Sequence, residues 1–386
     1  MHIMMKFNKL SMILLATATL LAAACQESIE YKDVVFFTGT ESTAVTSMYI
    51  EGPSAIGLTV TSSRKLGEDM TVGVQVASEV LPAFNSAQGT AYQMLPEGSY
   101  RLEDTYFTIE SGKNVSLPVN FEILSMDDFE EGVLYCVPIR LTDTSNGMSV
   151  LEPSRITYIV INQIITTQGP DFGKTQYIHM PTMINNPMFN DMGVCTMEAR
   201  VRMDGWATSN PFISSVIGVE ENFLIRFGDI SCDNNQLQYA GRGASVTSES
   251  HFDTGKWYHV AVVDNGTTLT LYVDGNVEGT VDSSGKSAIN LAWDYSDGFH
   301  IGRSAGGRLM DGVVSEARVW NRVLSPIELV NNQCYVDPSS EGLVCYWRLD
   351  GLVDGKFQDL TGNGNHGVPS NSNINWYEGL KCPIVD

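Results

Sequence analysis

Three kinds of side chain in this 386-residue sequence could do chemistry: a serine framed by glycines, carboxylates within strand-like runs, and aromatic rings in polar loops. Gly302-Arg303-Ser304-Ala305-Gly306 matches the GxSxG frame of serine hydrolases. That frame activates its serine only where a strand turns sharply into a helix and exposes the hydroxyl. Here Gly307-Arg308-Leu309-Met310 runs on into another strand-like segment, which predicts a glycine-rich hairpin instead. Glycosidases need two carboxylates flanking the sugar bond, roughly 5–9.5 Å apart. One strand presents both to a cleft when they are two residues apart, as Glu-x-Asp, and this triplet is missing. Glu198 and Glu316 each fall in a strand-like run without an acidic residue two positions away. The run Asp127-Asp128-Phe129-Glu130-Glu131 reads as a solvated loop, and His259 and His300 as packing or hydrogen-bonded strand residues. No catalytic constellation emerges, and the chain is expected not to be an enzyme.

Binding chemistry is better represented. A flat ring covers the apolar face of a sugar while neighbouring polar groups take its hydroxyls. Trp206, in Met203-Asp204-Gly205-Trp206-Ala207, and Trp293 with Tyr295, in Ala292-Trp293-Asp294-Tyr295-Ser296-Asp297, are the candidate platform residues. Partial core packing is the alternative for each. Asp359, Asn363 and Asn365 gather carboxylate and amide oxygens within seven residues, the donor set a calcium ion takes. The spacing is not that of an EF-hand, and a metal-free turn of Asx and glycine residues explains the same segment.

The elements that must position these residues are strands. From Val34 to about Ile165, apolar and polar residues alternate: Ile56, Leu58, Val60; Val72, Val74, Val76; Val115, Leu117, Val119, Phe121, Ile123; Tyr135, Val137, Ile139, Leu141. Period two predicts half-buried strands, about seven of them, arranged as an immunoglobulin-like two-sheet sandwich. Thr166-Thr167-Gln168-Gly169-Pro170 reads as a linker. All six tryptophans lie beyond it, which marks a second domain of different composition. There Trp257–Val263 and Leu269–Val273 predict a meander with turns at Asp264-Asn265-Gly266 and Asp274-Gly275-Asn276. Ser325-Pro326-Ile327-Glu328 is a capping box that opens one short helix.

The first 24 residues are a processing signal. Lys6 and Lys9 precede an apolar run, Ser11 to Ala24, too short to span a bilayer. The run ends at Ala22-Ala23-Ala24-Cys25, which resembles the lipobox of bacterial lipoproteins, with Ala22 in place of the usual leucine. The resemblance implies lipidation of Cys25, a tether over 25–33, and an outer-membrane lipoprotein, lipid-anchored and facing the cell surface. Removing the signal takes the formal charge from −22 to −24. With 45 Asp and Glu against 23 Lys and Arg, a nucleic-acid surface and a polybasic membrane patch are both disfavoured. Among the remaining cysteines no CxxC occurs, so a structural zinc site has no support. Cys136 and Cys195 read as buried, and Cys334 with Cys382 is the disulfide to test first.

Two resemblances cover the body of the chain. Pro82-Ala83-Phe84-Asn85, Pro96-Glu97-Gly98-Ser99-Tyr100, Phe107-Thr108-Ile109-Glu110-Ser111-Gly112 and Tyr135-Cys136-Val137-Pro138-Ile139 resemble the N-terminal domain of unknown function of Bacteroidetes surface lipoproteins. Gly255-Lys256-Trp257-Tyr258-His259-Val260, Leu271-Tyr272-Val273-Asp274-Gly275, Ile301-Gly302-Arg303 and Asp311-Gly312-Val313-Val314-Ser315-Glu316-Ala317-Arg318-Val319-Trp320 resemble a laminin-G-like, concanavalin-type jelly roll. Tyr346-Trp347-Arg348-Leu349-Asp350 and Asp359-Leu360-Thr361-Gly362-Asn363-Gly364-Asn365 extend that match. Such a segment usually opens the module and here it closes the chain, which implies permuted strand order within one domain rather than a truncated second repeat. In that family Trp257, Trp320 and Trp347 are core positions, and calcium is often held.

The expected architecture is therefore all-β: an immunoglobulin-like sandwich over 34–165, then a concanavalin/laminin-G-like jelly-roll sandwich over 171–386. The expected function is binding of an extracellular glycan or glycoprotein without turnover. A protein–protein adhesion or scaffolding module is the first alternative, and a glycoside hydrolase the second.

Overall fold

The computed structural model describes residues 32–40, 43–88, 90–130 and 132–383. The processing signal and Cys25 lie outside the described residues. By contact density the chain forms two units, one comprising Pro53–Asp127 and Tyr135–Val160 with the segment ending at Met48, the other Ile161–Asp386 with two short insertions. No helix among the described residues is long and apolar enough to cross a membrane.

The first unit is a β domain. Its larger sheet runs in the order Val45–Ile50, Ile156–Gln163, Tyr135–Thr144, Met70–Val76, Tyr106–Ile109, and two three-stranded sheets accompany it. Met70, Val72 and Val74 are buried while Thr71 is exposed, as period two requires. The alternation overruns the strand at one place. Val119, Phe121 and Ile123 are buried in strand Val119–Ile123, whereas Val115 and Leu117, which share its period, precede it and are exposed. The sequence pattern also missed helix Leu81–Gln88, whose Leu81 is buried and whose Phe84 stacks on Tyr158 at 3.9 Å.

The second unit is a two-sheet jelly roll. A seven-stranded sheet runs Ala244–Thr247, Cys232–Gly241, Phe223–Asp229, Ser214–Val219, His300–Ile301, Ile178–His179, Val368–Pro369. A six-stranded sheet runs Asn276–Asp282, Thr268–Val273, Trp257–Asp264, Cys195–Gly205, Asp311–Trp320, Leu343–Trp347. Alternate residues such as Met197, Ala199, Val201, Ile217, Ile225, Val260, Val262 and Ile301 fill the core between them. The Asp274-Gly275 turn has both residues at positive φ, 49° and 79°, the geometry of a tight two-residue hairpin. Ser325 Oγ accepts from the Glu328 backbone N–H while the Glu328 carboxylate accepts from that of Ser325, so the capping box stands at the start of helix Pro326–Asn331.

The C-terminal segment pairs into the second unit. Leu343–Trp347 pairs with Asp311–Trp320 in one sheet, and Val368–Pro369 pairs with Ile178–His179 in the other. The segment thus edges both sheets of one domain. Thr166–Pro170, expected as a linker, instead lies in strand Ile165–Pro170, antiparallel to Trp376–Cys382. The Cys334–Cys382 disulfide is present, and Cys136 and Cys195 are free and buried.

Candidate functional site

Trp293 and Tyr295 emerge on a turn that the fold holds tightly. Its base is fixed by the Asn185 N–H donating to the Ala292 carbonyl at 2.9 Å, and its far end by Gly298 donating to Tyr295 at 3.2 Å. Ser296 and Asp297 sit at φ 56° and 71°, a left-handed region that costs a side-chain-bearing residue energy and is often kept where a surface must be shaped. Gly298 follows at φ 86°, and a Cβ there would come within 2.8 Å of Ile184. The two rings stack on each other, centroids 4.9 Å apart and 23° from parallel. They are 37% and 43% exposed, so the stack faces water rather than core.

Beside this turn the alternation of two strands brings a polar cluster to the outer face of the seven-stranded sheet. Ile178 and Ile301 are core residues, so Tyr177, His179 and His300 project the other way. His179 stacks on His300 at 4.8 Å, and Tyr177 meets His300 edge-on at 5.5 Å. Arg303 lies over the Tyr177 ring at 4.7 Å and pairs with Asp297 at 3.1 Å. His300 Nδ1 donates to the Gly298 carbonyl at 3.0 Å, and Nε2 accepts from Arg303 at 3.3 Å. Burial, assisted by His179 and Arg303, pushes the His300 pKa down to about 4, and burial likewise lowers that of His179. The result is an exposed aromatic stack beside an arginine–aspartate pair, which offers hydroxyls a donor and an acceptor at once. Of these residues only Trp293 and Tyr295 could be chosen from sequence. Residues 177, 179, 297 and 303 carry no shared motif, and strand pairing alone assembles them.

Trp206 stands elsewhere. It follows strand Cys195–Gly205, is half-buried, and packs on Phe227 at 5.1 Å, which is the partial core packing considered for it. Trp320 and Trp347 are fully buried, while Trp257 is half-buried with Arg200 over its ring at 5.3 Å.

At Asp359 the carboxylate is already engaged. Oδ1 accepts from the backbone of Tyr346 and Thr361 and from the Thr361 hydroxyl, and Oδ2 from the Asn365 N–H at 2.9 Å. Asn363 turns its amide nitrogen to the Val344 carbonyl at 3.0 Å, and the Asn365 carbonyl accepts from the Trp347 indole at 2.7 Å. These bonds close the loop over Trp347, and a calcium ion here would have to displace several of them.

The residues weighed for catalysis are sealed. Ser304 is 3% exposed, and its hydroxyl bonds to that of Ser215 at 2.7 Å rather than to a base. Glu198 lies opposite Arg318 across two paired strands, and Glu316 sits two residues before Arg318 where the register shifts, a juxtaposition that spacing along a single strand could not reveal. Arg318 bridges them at 3.5 and 2.5 Å and donates at 2.8 Å to the carbonyl of Asn332, where helix Pro326–Asn331 ends. Glu198 also accepts from His259 at 3.0 Å and from the Trp320 indole at 2.9 Å. Burial pushes its carboxyl up, but His259 and Arg318 outweigh burial and hold it below the ordinary range. Burial dominates at Glu316, which is raised. Both are buried and linked to the packing of this face, with Leu324, Leu329, Val336 and Tyr346 around Trp320.

Residues 172–330 match the profile of the concanavalin A-like lectin/glucanases superfamily, in its laminin-G form. Residues 31–148 match the profile of an N-terminal domain. No curated protein matches the chain. Among solved structures, a "putative carbohydrate binding protein" from Bacteroides ovatus is 26% identical, with a TM-score of 0.59, covering 89% of this chain and 97% of its own. A heptameric SAP-like pentraxin from Limulus polyphemus is 13% identical, with a TM-score of 0.35, over 57% of this chain and 97% of its own. The chain thus joins an N-terminal β domain to a concanavalin A-like, laminin-G-type domain.

Proposed function

We propose that this protein binds an extracellular glycan, free or on a glycoprotein, through the Trp293–Tyr295 face of its second domain, without turning it over. The observation that carries the reading is the exposed, mutually stacked ring pair beside the Arg303–Asp297 pair. Stacked rings normally bury themselves in the core, and one held open on a strained turn offers a ready platform for a sugar face. Similarity over most of its length to the "putative carbohydrate binding protein" of Bacteroides ovatus supports the same reading. Sealing of Glu198 and Glu316 supports binding without hydrolysis. Lipidation at Cys25 would hold the domain at the outer membrane, facing outward.

A glycan array read with the full chain, alongside chromatography of the same glycans after long incubation, tests the proposal. Expected are retained glycans, no products, and a loss of about tenfold or more in affinity for Trp293→Ala and Tyr295→Ala. Released products would make it a glycosidase. A partner protein captured in the absence of any glycan binding would make it an adhesion or scaffolding module.

A further inference from the structure

A second concavity of the jelly roll, apart from the aromatic pair, lies where loop 207–213 faces loop 306–309. It is a cleft of roughly 260 Å³ with Lys174, Thr208, Ser209, Asn210, Gly307 and Arg308 in its walls. Thr208, Ser209 and Asn210 are exposed, and among the described residues their side chains make no hydrogen bond. On the facing wall Gly306 and Gly307 take φ 65° and 71°, and a Cβ on either would meet nothing within 4 Å. Glycine is therefore needed there for backbone conformation, and it leaves the peptide groups of the turn uncovered by side chains. Pro211, Ile213 and Leu309 add apolar surface.

The charges of the cleft are matched locally. Arg308 pairs with Glu220 at 2.6 Å and Lys174 with Asp311 at 3.0 Å, in a chain whose formal charge is −22. Among the described residues that line the cleft, each cation has an acidic partner, so none is left to attract a carboxylate or a sulfate. Glu220 is 4% exposed, and its Oε2 has no hydrogen-bond partner. Buried polar atoms without partners are uncommon, and this one sits beside the arginine that lines the cleft. Free hydroxyl and amide groups, a bare peptide turn, balanced ion pairs and some apolar wall suit a ligand that is neutral and carries many groups able both to donate and to accept.

We propose that this cleft is a second saccharide subsite, taking a neutral, hydroxyl-rich sugar unit, so that the domain engages an oligosaccharide at two places rather than one terminal sugar. The proposal rests on the glycan-binding reading above. The segment Arg303–Arg308 joins the two subsites: Arg303 belongs to the aromatic end and Arg308 to the cleft, and between them Ser304 is pinned to Ser215.

The test is calorimetric titration of the full chain with neutral gluco-, manno-, galacto- and xylo-oligosaccharides, from mono- to hexasaccharide, with uronate and sulfated oligosaccharides as controls. The double variant Ser209→Ala/Asn210→Ala should bind the long neutral ligand about tenfold more weakly and leave monosaccharide binding unchanged. Trp293→Ala should weaken both. An unchanged thermal unfolding curve, followed by tryptophan fluorescence, establishes that the double variant is folded. If it binds every oligosaccharide as the wild type does while Trp293→Ala does not, the second subsite is wrong and the first reading stands. A preference for the uronate or sulfated ligands would overturn the assigned sugar class. Wild-type protein that binds no saccharide at all would remove both readings together.

Discussion

Arg303 donates to His300 Nε2 at 3.3 Å while His300 Nδ1 donates to the carbonyl of Gly298, so the buried imidazole is neutral and its proton sits on Nδ1. Each ring nitrogen thus does a different job: one fixes the end of the turn that carries Trp293 and Tyr295, the other aims the guanidinium that meets Asp297. A proton added at Nε2 would face Arg303 and His179 in a buried site, opposed only in part by Asp297 and by the hydrogen bond to the Gly298 carbonyl.

This arrangement makes the second domain acid-sensitive. The pKa of His300 is lowered from 6.5 unfolded to about 4 folded, so between those values the unfolded chain binds the extra proton and the folded one does not. Stability from this group is therefore full above about pH 6.5 and is lost as pH falls toward 4, by up to about 3 kcal/mol. Urea unfolding followed by tryptophan fluorescence reports the second domain alone, since all six tryptophans lie there. His300→Gln should show a shallower decline than wild type across pH 7 to 4. Parallel curves would mean that His300 titrates normally.

Glu198→Ala should destabilise the second domain by about 3–5 kcal/mol, because His259, Arg318 and the Trp320 indole would all lose a buried acceptor. Glu198→Gln, which keeps an oxygen but not the charge, should fall between this variant and wild type. A melting temperature that hardly moves in Glu198→Ala would show the network to be dispensable.

Replacing both Cys334 and Cys382 by alanine opens a link between positions 48 residues apart. Chain entropy for a loop of that length corresponds to about 4 kcal/mol, and measured losses usually run about 2–4 kcal/mol. The double variant should therefore melt at lower temperature, and reductant should lower the wild type to a similar value. Equal melting with and without reductant would show that the bond contributes little.

Cys25→Ala should abolish incorporation of labelled fatty acid and release the protein from the membrane fraction. Protease treatment of intact cells then reports which way the anchored chain faces. Equal labelling of the alanine variant would remove the lipid-anchor proposal.

Some of this was legible in the residues themselves. Period-two runs such as Trp257–Val263, the Asp274-Gly275 turn and the Ser325–Glu328 capping box act over a few residues, and local geometry decides them wherever the chain goes. The all-β plan was readable for the same reason, together with the resemblances, and the Cys334–Cys382 pair was the bridge to test first in an exported chain. What pairing between distant strands decides was not readable. Ile165–Pro170 looks like a polar, proline-ended linker, and becomes a strand only because Trp376–Cys382 returns beside it. Val115 and Leu117 carry the correct period and still face water, since the strand begins after them. Glu198 looked isolated along its own strand and finds Glu316 through Arg318 on the neighbouring one. Trp206, at a strand end, and Trp293, in a polar loop, were equal candidates, but one closes onto Phe227 and the other stays open on its stack with Tyr295. Sequence spacing sets which face of a strand a side chain occupies; register between strands far apart in the chain sets what it meets, and the candidate site is made of such meetings.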